Sequence, residues 1–190
     1  MKRIETPTSS IVLIAIFAAF LTVCNYLARI DIGPVPITLQ MIPVMLAGAV
    51  LGSWRGAVAI IIVVLLDIFH IPTFPGKIGI GLVSSITFGY IIGWVFAAYI
   101  IGLIVPKLLK AEAASIILFI KVFIVCAFVG IVVVYFFGVL WAALFFGKSA
   151  AVLWKFFVLP FIIPDLIKSA LVAFIIMLLH KYRVIDGMKF

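Results

Sequence analysis

Charge is scarce in this chain. Asp, Glu, Lys and Arg together make up 11% of its 190 residues, less than half of the roughly 25% carried by an ordinary soluble domain. Acids are scarcest, with Glu5, Asp31, Asp67, Glu112, Asp165 and Asp186 the full set, and only His70, His180, Cys24 and Cys126 add further reactive or ligating groups. HExxH and GxSxG are absent, and no two carboxylates share a helix face, which excludes the usual hydrolytic, acyl-transfer and paired-carboxylate chemistries. The GxxxxGK[ST] phosphate loop is missing as well, so the chain has no visible means of hydrolysing ATP. The cysteines lie singly in apolar runs without CxxC spacing and read as packing residues. Neither a cofactor nor a metal is expected.

What the chain has in abundance is apolar surface. Hydrophobic residues make up 68% of it, enough for six segments of ~20 residues, the length of helix that crosses ~30 Å of hydrocarbon. A water-soluble globule of this size could not hide so much, so a soluble enzyme, a disordered chain and a nucleic-acid-binding domain are excluded. The partner implied is the lipid bilayer. The net charge of +8, from 14 basic and 6 acidic residues, then reads as the Lys/Arg enrichment of cytoplasmic loops rather than as a nucleic-acid footprint.

Apolar runs and Pro/Gly breaks predict an all-α integral membrane protein, one domain over 1–190, with six transmembrane helices at about 11–28, 37–51, 57–69, 85–105, 112–137 and 161–180. With both termini on one side, that side carries Lys2, Arg3, Arg55, Lys107, Lys110, Lys181, Arg183 and Lys189, against Arg29, Lys77, Lys148 and Lys155 opposite. The asymmetry places both termini in the cytoplasm. Long irregular loops at 29–36, 70–84 and 138–160, the last rich in Trp and Phe with room for a short interfacial helix, then lie on the extracellular side, where loops can build a lid or a site.

An ionisable residue in lipid needs a reason, since Asp or Lys at a helix centre costs ~2.5–3.5 kcal/mol on insertion scales. Pro164-Asp165-Leu166-Ile167-Lys168 opens the last helix, with Asp165 in the first turn and Lys168 on the same face at i+3. Two readings stand: a salt bridge that locks the helix in the bundle, or a fixed acceptor beside a fixed donor for a ligand with adjacent N–H and C=O groups. Around Gly76, Gly79 and Gly81 the backbone can approach a ligand closely, and Lys77 is either a solvated cation or the partner of an anionic group. Asp67 and His70 fall near the membrane interface and read as solvated; Lys121 either snorkels or finds a partner. Tyr90, Trp141, Trp154 and Phe74 suit a pocket wall or an interfacial belt. Ala15 and Ala19, four apart, form a smooth strip for internal packing or for a partner helix.

The strings Gly33-Pro-Val-Pro-Ile-Thr-Leu-Gln40, Leu46-Ala-Gly48-Ala-Val-Leu-Gly52, Ile71-Pro-Thr-Phe74, Gly89-Tyr90-Ile-Ile-Gly93, Gly138-Val-Leu-Trp141 and Leu159-Pro-Phe-Ile-Ile-Pro-Asp165-Leu-Ile-Lys168 resemble, in order and spacing, the BioY family of biotin-binding S components of energy-coupling factor (ECF) transporters. The resemblance implies six membrane helices and a non-enzymatic role in biotin uptake; the alternatives are an S component for another small vitamin, or a self-sufficient biotin transporter without ATPase partners. It also implies docking to a transmembrane coupling subunit and two ATPase subunits in the plasma membrane of a prokaryote. It carries substrate-binding roles onto Asp165, Lys168, Gln40, Tyr90 and Trp141, and onto Lys77, Gly79 and Gly81 in the loop that closes on the ligand. Ala15 and Ala19 correspond to the AxxxA surface facing the coupling subunit. The chain departs from the family's pattern after the third helix, where Asp67 and His70 stand in place of a glycine-rich turn.

Overall fold

The computed structural model describes residues 7–27, 35, 37–76, 78–111, 113–147 and 149–184. Nine α-helices and one π-helical turn are described: α1 (Pro7–Tyr26), α2 (Met41–Leu51), α3 (Ser53–Ile68), the single turn α4 (Ile80–Val83), α5 (Phe88–Ala111), α6 (Ile116–Phe128), the π turn Val129–Val133, α7 (Val134–Phe146), α8 (Ala150–Phe157) and α9 (Leu159–Lys181). Among the described residues, four continuous helical stretches are long and apolar enough to cross a bilayer, Thr8–Tyr26, Phe88–Ala111, Ile116–Phe145 and Leu159–Lys181. The predicted second and third spans are shorter: α2 has 11 residues and α3 has 16, or about 16 and 24 Å of helix.

α2 is the axis of the bundle. All of its residues from Met41 to Leu51 are buried, and it packs on α1, α3, α5 and α9. An element with no outward face has no amphipathic stripe, so apolarity all round is what its position requires. It passes close to α5: a Cβ on Gly48 would collide with the carbonyl oxygen of Ala98. The turn from α2 into α3 is made by Gly52 at φ 83°, a conformation open to glycine at little cost. Outward faces of the long helices carry Ile16, Phe96, Phe128, Phe136 and Ile167, all exposed, as expected where the surrounding medium is lipid rather than water.

Two helix ends differ from the sequence prediction by more than four residues. The fourth helix was expected to stop before Pro106, yet α5 runs to Ala111 with Pro106 inside it. A proline in a helix interior costs ~3 kcal/mol; burial of Val105, Pro106 and Leu109 against the neighbouring helices offsets it. The stretch 138–160 is expected to be irregular from Gly138 onward, with room for one short helix; α8 is such a helix, but α7 continues without a break to Phe146. Gly138 is no breaker here. Its missing side chain makes room for the Tyr90 ring, which a Cβ would meet at 2.6 Å. α6 begins after Ser115, whose hydroxyl accepts the Leu118 N–H at 3.1 Å and caps the helix.

Candidate functional site

α9 positions the polar pair. It starts at Leu159, with Pro160 in its opening positions and Pro164 inside it, so Asp165 sits in the second turn rather than the predicted first. The helix-end dipole therefore contributes less to Asp165 than the sequence suggested, and direct hydrogen bonds take its place. Lys168 Nζ donates to Asp165 Oδ1 at 2.7 Å, as i, i+3 spacing allows. From α7, Tyr135 Oη donates to Asp165 Oδ2 at 2.6 Å. Asp165, Lys168 and Tyr135 are all buried, at 5%, 8% and 6% exposure. Such burial is tolerable only because each ionic partner is paired and hydrogen-bonded.

These three groups face a cavity of about 510 Å³ at the end of the bundle where α2, α5 and α9 begin. That volume falls in the range of small-molecule sites. Tyr90 and Trp94 of α5 form one wall, and Phe161 of α9 and Met41 of α2 add apolar surface. Tyr90 is pinned by its hydroxyl, which donates to the Phe157 carbonyl at 2.7 Å, and its ring meets Tyr135 edge-on at a centroid distance of 6.3 Å. Gln40 also lines the cavity, its Oε1 accepting the Thr38 hydroxyl at 2.7 Å.

Phe74, Pro75 and Gly76 close the cavity from the connection between α3 and α4. This segment is held by Asp67, which is fully buried at 0% exposure, a correction to the solvated position expected for it. Its Oδ1 accepts the backbone N–H of Thr73 at 3.0 Å and of Phe74 at 3.1 Å, and its carbonyl accepts the N–H of Gly79 at 2.9 Å. From α1, Asn25 Nδ2 donates to the Thr73 carbonyl at 2.7 Å and Tyr26 Oη to that of Pro72 at 3.2 Å. Phe74 then stacks on Trp94, with ring centroids 6.2 Å apart.

Of the site residues predicted from sequence, Asp165, Lys168, Tyr90 and Gln40 meet at this cavity. Gly79, Gly81 and Trp141 do not line it. Gly79, at φ 66°, opens the turn α4 under the His70 ring, and Gly81 lies exposed on that turn. Trp141 is a prop: its Nε1 donates to the Ser85 carbonyl at 3.0 Å, fixing the α4–α5 connection, and its ring stacks on Phe145. Lys77 lies outside the described residues. Ala15 and Ala19 are exposed on α1, away from the cavity lining. Tyr135 was missed, though a tyrosine inside the apolar run 129–137 is itself a signal, because a buried hydroxyl needs a partner. Among the described residues no group of three or more His, Cys, Asp or Glu side chains is placed to hold a metal ion.

The arrangement is suited to binding. Asp165 can accept N–H donors, Lys168 can donate to a carbonyl, and the aromatic walls can cover an apolar body.

Residues 1–184 match the family model described as the BioY family. The biotin transporter BioY of Rhizobium etli is 36% identical over 171 residues, 87% of this chain and 90% of that protein. The biotin transporter BioY of Rhodobacter capsulatus is 36% identical over 186 residues, 92% and 94% of the two chains. Among solved structures, the S-component for biotin from an ECF-type ABC transporter superposes with a TM-score of 0.80 at 26% identity, covering 94% of this chain and 95% of that one. With a family model matched over residues 1–184 and relatives 36% identical over most of their length, the chain belongs to the BioY family.

Proposed function

We propose that this chain is the S component for biotin uptake through an ECF-type ABC transporter: it captures biotin and performs no covalent chemistry. The observation that carries the reading is the buried Asp165–Lys168 pair, bonded to Tyr135, facing an aromatic-walled cavity. Biotin's ureido ring offers N–H donors and a C=O acceptor side by side, the complement of a carboxylate next to an ammonium. Its thiolane and alkyl chain suit the walls formed by Tyr90 and Trp94. Its terminal carboxylate needs N–H donors or a cation, the role proposed for Lys77 on the loop that follows Gly76.

In this reading the short helices α2 and α3 complete a six-span topology with both termini cytoplasmic, an orientation that the Lys/Arg asymmetry supports. The cavity then opens on the extracellular side of a prokaryotic plasma membrane. ATP hydrolysis belongs to two partner ATPase subunits, linked through a transmembrane coupling subunit. That subunit docks on α1, where Ala15 and Ala19 stand exposed and allow close helix approach.

Isothermal titration of the purified, detergent-solubilised protein with biotin and with desthiobiotin tests the assignment. Saturable binding of both, with equal stoichiometry, is expected, since both carry the ureido ring. No heat with either ligand refutes it.

A further inference from the structure

Tyr135 reaches the site through an irregularity in its own helix. Between α6 and α7 the residues Val129–Val133 form a π-helical turn, and such turns occur often at functional sites. The wider turn shifts the following residues around the axis relative to a regular helix, where each residue accounts for about 100°. In the resulting register Val134 and Tyr135 are buried at the cavity, whereas Phe136 points outward at 61% exposure.

The hydroxyl so placed completes the hold on Asp165. Lys168 occupies one lone pair of Oδ1 and Tyr135 one lone pair of Oδ2, and each oxygen keeps a further lone pair for another donor. Both bonds are short and charge-assisted, which fixes the plane of the carboxylate. Without the tyrosine hydroxyl, rotation about the side-chain bond lets both oxygens turn toward the Lys168 ammonium. The acceptor available to a ligand is then lost, although the ion pair survives.

Resting on the biotin-binding assignment above, we infer that Tyr135 is a positioning residue that sets head-group specificity. It holds Asp165 open to a ligand N–H while Lys168 faces the adjacent carbonyl. The class so selected is the neutral cyclic urea or lactam, and the π turn is the device that delivers the hydroxyl to it.

The test is a double-variant cycle read by biotin titration, using Tyr135→Phe, Asp165→Asn and the two combined. The phenylalanine keeps the ring contact with Tyr90 and removes one oxygen. Tyr135→Phe alone is expected to weaken biotin binding about tenfold, a loss of the size of one charge-assisted hydrogen bond. In the Asp165→Asn background the same change should cost less than about threefold, because the charge through which it acts is gone. Equal losses in both backgrounds indicate a packing role and overturn the inference, as does an unchanged affinity for Tyr135→Phe. Absence of biotin binding by the unmodified protein instead overturns the underlying assignment, and is seen before any substitution is made. Should the phenylalanine variant unfold in detergent, 3-fluorotyrosine at position 135 keeps ring and hydroxyl while strengthening the donor. A shift in affinity that vanishes with Asp165→Asn is then expected, and no shift in either background overturns the inference.

Discussion

Replacing Asp67 by alanine removes the acceptor that ties the cavity's closing segment to α3. Two backbone N–H groups lose their partner, those of Thr73 and Phe74, and both residues are buried, at 2% and 5% exposure. An unmade buried hydrogen bond costs ~1–3 kcal/mol, so the gross loss is about 2–6 kcal/mol. Part of it is returned, because Asp67 Oδ2 is itself buried without a hydrogen-bond partner and leaves with the carboxylate. A net destabilisation of about 2–4 kcal/mol remains. It falls on the segment carrying Phe74, whose stacking on Trp94 forms the cavity wall. Asp67→Ala should therefore lower the thermal unfolding midpoint in detergent and weaken biotin binding at least tenfold in titration. Asp67→Asn separates the hydrogen bonds from the charge: its amide oxygen can accept both N–H groups, and most of the stability and affinity should survive. An alanine variant equal to the unmodified protein in both assays would refute the reasoning. An asparagine variant as impaired as alanine would refute hydrogen-bond acceptance as the reason.

Asp165→Asn should weaken biotin binding by about 1–3 kcal/mol, the loss of a charge-assisted buried acceptor, and titration that finds equal affinity would make Asp165 purely structural. Lys168→Met should be harsher on folding, about 3–5 kcal/mol, because it leaves a buried carboxylate without its cation; a thermal midpoint above that of Asp165→Asn would contradict this. Gly138→Ala puts a Cβ 2.6 Å from the Tyr90 ring, which its bond to Phe157 prevents from swinging away. About 1–3 kcal/mol of overpacking is expected in thermal unfolding, and an unshifted midpoint would show the ring free to yield. Tryptophan at Ala15 or Ala19 should spare biotin binding and abolish co-purification with the coupling subunit; an intact complex would show that this strip lies outside the interface.

Sequence reasoning found the Asp165–Lys168 pair because two features coincide there: charges inside an apolar run and spacing that puts them on one face. It found α1, α5 and α9 for the same reason, since length and apolarity alone define a long helix in lipid. It failed where one residue type serves two ends. Gly138 reads as a break because glycine weakens helices, whereas here it clears space for Tyr90, a contact 48 positions earlier in the chain. Pro106 reads as a stop, but the packing of the turn beyond it outweighs the missing donor. Asp67 reads as solvated from its place near a helix end; nothing local reveals that Thr73 and Phe74 fold back to bury it. Trp141, which reads as a pocket wall or part of an interfacial belt, instead holds the Ser85 carbonyl. Tyr135 needed the π turn to reach the cavity, and a single extra residue within a helix leaves no mark in an unbroken apolar run.

The shortness of α2 bears on how the protein is made. With 11 residues it extends about 16 Å, roughly half of a ~30 Å hydrocarbon core, and alone it would leave unpaired backbone groups at its ends within lipid. It also touches α5 and α9, which the ribosome has not yet produced when residue 51 emerges. In the six-span topology proposed above, α2 of a chain growing from its N terminus would enter the bilayer as one arm of a hairpin with α3, turned at Gly52, and would be enclosed only once α5 and α9 arrive. Biogenesis would then be a delayed closure around a central post, and chains truncated before α5 should be the ones that membrane quality control removes.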